Sequence, residues 1–222
     1  MVNKFINIAI DGPAGSGKST IAKKLSEKLG FFHLNTGSMY RTMALYFVEK
    51  NLDFENEEVV KNNAQNILLE VKFENGEQSD YLNGKYVTPL LREEKVTYAS
   101  SFISQFACIR EIAVKQQQSV ASRMNVIMEG RDIGAKVLPN ANYKFFLTAS
   151  PEERARRRLN QIISSGGTAE YDEVLNEIKQ RDERDLNREI SPLVQTKDAI
   201  LVDSDNMNVE QVVEYMITKI NL

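Results

Sequence analysis

Tryptophan is absent from this chain, and cysteine and histidine occur once each. The single thiol, Cys108, cannot close an internal disulfide. Together with the single imidazole, His33, it falls short of any zinc-binding set. No histidine-based or paired-carboxylate catalytic arrangement is evident either. No apolar run reaches the roughly 18 residues that would suggest a membrane span. Asp11 and Gly12 interrupt the N-terminal apolar stretch too early for a secretory signal. A formal net charge of −3 argues against general affinity for nucleic acid, which a basic surface would favour. These absences predict a cytoplasmic protein that binds neither nucleic acid nor membrane.

What remains is an ordinary globular composition, 42% hydrophobic and 27% charged over 222 residues. This is enough chain for one α/β domain with small insertions and a sizeable core. Short apolar runs alternate with helical patterns, the mark of a parallel sheet covered by helices. The candidate strands are FINIAI (5–10), FFHL (31–34), NVIME (125–129), YKFFLT (143–148) and AILVD (199–203). A first helix is expected from Lys18 to Leu29, with Ile21, Leu25 and Leu29 on one face and Gly30 as its C-terminal cap. SPEE (150–153) reads as another helix start, with Ser150 as N-cap, Pro151 at the first position and Glu153 completing a capping box. The last helix, NVEQVVEYMITKI, carries an apolar stripe at Val209, Val212, Val213, Met216, Ile217 and Ile220 that reads as core. One segment breaks the alternation. ILLEVKFENGEQSDYLNGKYV (67–87) has apolar residues at period two, Leu69, Val71 and Phe73, and turn signals at ENGE and LNGK. It predicts a small inserted antiparallel sheet.

GPAGSGKST (12–20) fits GxxxxGK[ST]. In such a loop the glycines let backbone N–H groups turn inward around phosphate oxygens, and the following helix points its positive end at them. Lys18 would reach the terminal phosphates and the Ser19 hydroxyl could ligate Mg²⁺. The bare pattern arises by chance in about one such chain in 100. A strand-like run before it and a helix-like run after it make an accident rarer still. The expected ATP-binding residues are Gly12, Pro13, Ala14, Gly15, Ser16, Gly17, Lys18, Ser19 and Thr20. The loop alone does not name a reaction, since it serves GTPase switches, motors and small-molecule kinases alike. An N-K-x-D guanine-reading segment is missing, which weighs against a GTPase.

Arginines are numerous in the second half. Arg154, Arg156, Arg157 and Arg158 follow the SPEE start, and Arg181, Arg184 and Arg188 lie in RDERDLNRE. A solvated helix face explains most such runs. EGRD is different, because it follows an apolar strand, and ligands of open α/β sheets bind at the carboxyl ends of strands. Glu129 there could support Mg²⁺ through water, and Arg131 and Asp132 would face the same crevice as Lys18.

The motifs IAIDGPAGSGKST, LNTGSMYR, SFISQFACIR, EGRDIG and IKQRDERDLNREISPLV, in this order, resemble the bacterial cytidylate kinase family over essentially the whole chain. The resemblance implies the P-loop nucleoside monophosphate kinase fold, an α/β architecture with a five-stranded parallel sheet flanked by helices, a small antiparallel insertion and a helical lid. It implies one domain over 1–222, with a core of 1–35, 111–150 and 171–222. The acceptor-binding region would be about 36–110 and the lid about 151–170. The acceptor nucleotide would be contacted by Thr36, Arg41, Ser101, Arg110, Arg131, Asp132, Arg181, Asp185 and Arg188. Asp132 would accept from the cytosine amine, Arg110 would donate to N3 and O2, and Arg131 and Arg41 would hold the acceptor phosphate. Family members usually carry aspartate or serine beside the turn threonine, where this chain reads Asn35-Thr36.

The implied reaction moves the γ-phosphoryl of ATP onto CMP or dCMP, with UMP as a poor substrate. The attacking phosphate is largely anionic near neutral pH, so no general base is needed. What is needed is charge neutralisation by Lys18, Mg²⁺, Arg131 and Arg188, with Arg157 and Arg158 as lid candidates. Rival readings are a kinase for UMP, AMP or an alcohol on the same fold, or a nucleotide-dependent switch. Bland roles stand beside several of these residues. Arg184 could pair with Asp182 or Glu183, Thr36 could be a helix cap, and His33, Met39, Tyr40 and Cys108 read as packing. No apolar interface is obvious, so a monomer is expected.

Overall fold

The computed structural model describes residues 4–74 and 76–221. In chain order the elements are β1 (Asn7–Asp11), α1 (Lys18–Leu29), β2 (Phe32–Asn35), α2 (Thr36–Glu49), α3 (Glu57–Ala64), β3 (Leu69–Glu74), β4 (Glu77–Leu82) and β5 (Lys85–Tyr86). There follow α4 (Glu94–Ile103), α5 (Ala107–Ala121), β6 (Val126–Gly130), β7 (Tyr143–Thr148), α6 (Pro151–Ser164), α7 (Tyr171–Asn187), β8 (Ile200–Asp203) and α8 (Val209–Ile217). Five strands form a parallel sheet in the order β2-β6-β1-β7-β8, and β3-β4-β5 form a separate small sheet. No helix among the described residues is long and apolar enough to cross a membrane. Contacts divide the chain into two compact units. One covers the residues up to Asn7 with Gly30–Met128, and the other covers Ile8–Leu29 with Glu129–Leu222.

In the second unit, β1 pairs with β7 from Ile8 opposite Tyr143, and β7 with β8 from Phe145 opposite Ile200. Every residue of β1 is buried, as expected for a strand covered on both faces. The strand runs on to Asp11, beyond the apolar run that announced it. Helix α1 starts and ends where its pattern predicted, and Gly30 caps it with φ of +66°. α8 buries Val212, Val213 and Met216 and packs beside α1, with Lys24–Glu210 and Lys28–Glu214 ion pairs along the contact. Its start is a complete capping box of Asn208 and Gln211. The box expected at Ser150 is incomplete. Ser150 Oγ accepts from the Glu153 N–H at 3.3 Å, but Asp205 takes the Ser150 N–H at 2.7 Å. Glu153 turns instead to Arg156 and Arg157, at 2.6 and 3.0 Å. α6 and α7 pack through Ala155, Val174 and Ile178.

In the first unit, β3 and β4 pair antiparallel from Leu69 opposite Leu82. The LNGK turn places Asn83 and Gly84 at φ of 50° and 79°, the left-handed geometry of a tight hairpin. The ENGE turn includes Asn75, which lies outside the described residues. SFISQFACIR spans two helices. α4 ends at Ile103 and α5 begins at Ala107. Ser104 Oγ donates to the Ser101 carbonyl at 3.2 Å, a local bond that competes with the helix ladder. Phe106 is then extended, with φ −82° and ψ 132°. Cys108 is half-buried rather than a core residue.

Candidate active site

The phosphate loop leaves β1 at Gly12, whose φ is +150°. A Cβ there would lie 2.0 Å from the Leu147 carbonyl oxygen of β7, so only glycine fits this close approach. Lys18, at the start of α1, is 5% exposed. Its Nζ donates to the Pro13 carbonyl at 2.7 Å and to Ser16 Oγ at 3.2 Å, so the ammonium folds over the loop itself. Burial pushes its pKa well down, and the Arg131 charge adds to this, while Glu129, Asp185 and Asp11 oppose it. Ser19 and Thr20 are exposed at the helix start.

Asp11, which the sequence reading did not single out, ties this loop to the EGRD segment. Its Oδ1 accepts from the Ile133 N–H at 2.8 Å and its Oδ2 from the Gly134 N–H at 2.7 Å. Those amides open a short π turn, Ile133–Val137, directly after Arg131 and Asp132. Burial pushes the Asp11 carboxyl up to about 6 against the pull of those two amides. An acid ending an otherwise apolar strand was the available signal.

Charged side chains of the same unit gather here in matched pairs. Arg131 Nε donates to Asp185 Oδ2 at 2.7 Å. Arg188 lies 3.9 Å from Asp132, with both side chains buried. Burial works against the Asp185 carboxylate, yet Arg131, Arg181 and Arg188 together hold its pKa below the ordinary value. Arg131 is held above its own, because the attraction of Asp185 and Glu129 outweighs burial. Glu129 is buried at the end of β6.

The arginines of α6 separate by their partners. Arg154 is the buried one. It donates to Ala14 O of the phosphate loop at 3.0 Å and to Ala149 O at 2.9 Å, and it grips Asp182 with two bonds of 2.9 and 2.6 Å. The Asp182 carboxylate is thus held by Arg154 at both oxygens. Arg157 reaches Ser16 O at 3.5 Å, Ser204 Oγ at 3.1 Å and Ser204 O at 2.7 Å. Arg158 is exposed on α6 and Arg156 pairs with Glu153.

The first unit holds the remaining expected residues. The cap of α2 is Asn35, whose Oδ1 accepts from the Ser38 N–H at 2.9 Å, so Thr36 is the buried first helical residue and not the cap. The Arg41 guanidinium lies over Gly37, where a Cβ would stand 3.3 Å from Nη1. From the inserted sheet, β4 sends Gln78 and Asp80 to this turn. Asn35 N–H donates to Gln78 Oε1 at 2.7 Å, and Ser38 Oγ donates to Asp80 Oδ2 at 2.5 Å. Neither residue was foreseen, because their partners lie 43 and 42 positions away. Ser101 Oγ is buried with no hydrogen-bond partner among the described residues, which leaves a donor available to a ligand. The helix break places Ser101 and Arg110 on different helices. Arg110 is buried, donates to the Ser104 carbonyl at 3.3 Å and lies over the Tyr40 ring at 5.9 Å.

A glycine-rich loop joining a buried parallel strand to a helix, with a lysine folded over it, defines the P-loop class of nucleotide-binding proteins. The cytidylate kinase family profile matches residues 8–222. The chain is 45% identical to the cytidylate kinase of Caldanaerobacter subterraneus subsp. tengcongensis, covering 96% of this chain and 94% of that protein. It is 42% identical to the cytidylate kinase of Pelotomaculum thermopropionicum, covering 99% and 98%. This chain belongs to the cytidylate kinase family. Among solved structures, an uncharacterized protein from Eubacterium ventriosum matches with a TM-score of 0.50 at 14% identity, covering 96% of this chain and 97% of that one. That likeness concerns the fold alone.

Proposed function

We propose that this chain transfers the γ-phosphoryl group of ATP to CMP or dCMP, giving ADP and CDP or dCDP. Family membership supports the reaction. The observation that carries it at the level of residues is the cluster of Lys18, Arg131 and Arg188 against Glu129, Asp132 and Asp185 around one phosphate loop. Before ligands arrive, the carboxylates hold the cations in place. An incoming polyphosphate would take over that role, and its charge would oppose the depression of the Lys18 pKa. Two anions must meet in line, so neutralisation and positioning dominate the chemistry. Lys18 and the loop amides would bind the donor phosphates. Arg157, already beside Ser16 and Ser204, would close on the donor side, and closure would keep water from accepting the phosphoryl group. Arg158 remains a lid candidate that would need α6 to move.

On the acceptor side, family likeness assigns Thr36, Arg41, Ser101, Arg110, Arg131, Asp132, Arg181, Asp185 and Arg188 to CMP. Asp132 accepts from the cytosine amine and repels the uracil carbonyl, which makes UMP a slow substrate. Oxygen donors suit Mg²⁺. Ser19 offers an exposed hydroxyl and Glu129 a buried carboxylate, and no cluster of three or more His, Cys, Asp or Glu among the described residues could hold a metal alone. This fits an ion whose remaining ligands are phosphate oxygens and water. When bound, Mg²⁺ would supply charge neutralisation at the transferred phosphoryl group. We also infer a cytoplasmic protein, on composition and charge, and a monomer, on the lack of an obvious apolar interface in the sequence.

The test is incubation with ATP, Mg²⁺ and a panel of nucleoside monophosphates. CMP and dCMP should be phosphorylated fastest and UMP slowly. Preference for UMP or AMP overturns the acceptor assignment, and ATP hydrolysis indifferent to any acceptor favours a switch.

A further inference from the structure

The Asp80 carboxylate is 1% exposed. It lies on β4 of the inserted sheet, 42 positions from the Ser38 that donates to it. Gln78 Nε2 donates to its other oxygen at 2.8 Å, and its own N–H donates to Thr88 Oγ1 at 2.8 Å. A carboxylate offers about four acceptor sites, and these two side-chain bonds use two of them. A buried anion is costly unless hydrogen bonds and opposite charge compensate it. Burial pushes the Asp80 pKa up, the bonds from Ser38 and Gln78 pull it back, and so does the positive charge of Arg41. The position of Arg41 itself is marked by Gly37. Its Nη1 rests against the surface of Gly37, whose missing side chain makes the space. The turn beneath is locked, because Gln78 accepts from the Asn35 N–H at 2.7 Å and Asn35 caps Ser38 at 2.9 Å.

We propose that Asp80 is a positioning residue for Arg41: by fixing Ser38, the neighbour of Gly37, it sets the surface on which the guanidinium lies, so that Arg41 meets the acceptor phosphate already oriented. The proposal rests on the reading of Arg41 as an acceptor-phosphate contact. Gln78 acts with it by fixing the backbone of Asn35, so the inserted sheet serves as the brace of the acceptor turn. An unbraced arginine would have to be ordered at each binding event, which weakens binding. The effect therefore belongs in the affinity for the acceptor and not in the donor site or in the chemical step.

The experiment is steady-state kinetics of Asp80→Asn, Arg41→Ala and the double variant, with CMP and ATP varied separately. A second replacement, Asp80→Ser, is carried alongside, and all variants are assayed below the melting midpoints recorded by circular dichroism. Arg41→Ala should raise the KM for CMP more than any other variant. Asp80→Asn and Asp80→Ser should each raise it about ten-fold, a coupling of the size that residues of one hydrogen-bonded network show. The KM for ATP should stay within about two-fold, and the double variant should be no worse than Arg41→Ala alone. If Arg41→Ala leaves the KM for CMP unchanged, the acceptor reading itself fails. If it raises that KM but both Asp80 variants match wild type, or their effects add to those of Arg41→Ala, Asp80 is only a structural tie and the proposal is overturned. A lower KM in the Asp80 variants overturns it too, since the carboxylate would then merely compete with phosphate for Arg41.

Discussion

Around the phosphate loop the anchors are largely backbone groups. Asp11 is held by the amides of Ile133 and Gly134, Lys18 by the Pro13 carbonyl, and Arg154 by the carbonyls of Ala14 and Ala149. Around the acceptor turn the defining anchors are side chains reaching across the sequence: Gln78 to Asn35, Asp80 to Ser38, Arg110 over Tyr40. Backbone groups are supplied by any residue, so the first arrangement depends on a few side chains and on the path of the chain. The second depends on the side chain of Gln78 at one contact and on both partners where Asp80 meets Ser38 and Arg110 meets Tyr40. The phosphate loop is thus robust to most neighbouring substitutions, whereas a single replacement on β4 can disturb the acceptor turn.

Lys18→Ala probes the first region most severely. Turnover should fall by about 10²–10³, the range for losing one preorganised charge-stabilising group. The melting midpoint should not drop, because burial already disfavours the lysine charge. Retention of more than about a tenth of turnover, a loss of less than about 1.4 kcal/mol, would show that this loop does not carry the donor phosphates.

Next in size is the contrast of Arg131→Ala with Arg184→Ala. The first leaves Asp185 buried without its closest cation, which costs about 3–5 kcal/mol of stability, and it should also lower kcat/KM for CMP strongly. The second removes an exposed side chain from α7 and should change stability by no more than about 0.5 kcal/mol. Denaturant unfolding and CMP kinetics on both variants read this out. Equal losses would remove EGRD from the site.

Asp132→Asn should shrink the preference for CMP over UMP by about 1–3 kcal/mol, the discrimination of one base-edge contact. Asparagine can present either a donor or an acceptor, so it relieves the repulsion of the uracil carbonyl. Arg110, a pure donor, still opposes the uracil N3–H, and the preference should not reverse. The ratio of kcat/KM values for the two monophosphates is the readout, and an unchanged ratio means that Asp132 does not read the base.

The smallest effect concerns Asp11. Its carboxyl is raised from 3.8 to about 6, so between these values the folded chain holds a proton that the unfolded chain has released. Its contribution to stability therefore grows as pH falls from 7 through 6 towards 4, and is lost as pH rises back through 6. The stability of wild type relative to Asp11→Asn should rise by about 1 kcal/mol between pH 7 and pH 5. Urea unfolding at the two values measures this. A difference of opposite sign would mean that the two amides stabilise the anion more than burial destabilises it.

Much of the donor region was legible from consecutive residues. The loop, the limits of α1, the cap at Gly30 and the strand over Tyr143–Thr148 all follow from local chemistry, since phosphate loops and helix caps are built from neighbours along the chain. The small sheet was legible too, from its period of two and its LNGK turn. The break between Ile103 and Ala107 was not, because it depends on serine hydroxyls choosing helix carbonyls over solvent. Nor was the diversion of Glu153 from its capping box, which required knowing that Asp205 arrives at Ser150. Which arginine takes Asp182 was open to every arginine nearby, and burial of Arg154 decided it. Pairings such as Asp11 with the amides of Ile133 and Gly134, 122 and 123 positions away, or Asp80 with Ser38, have no local signature. The sequence by itself determined the kinds of chemistry present: a phosphate-binding loop, a set of arginines suited to anionic substrates, and a sheet to carry them. Only the tertiary structure decided which carboxylate restrains which cation, because electrostatic pairing acts through distance in space and desolvation strengthens it only where the chain has folded to exclude water.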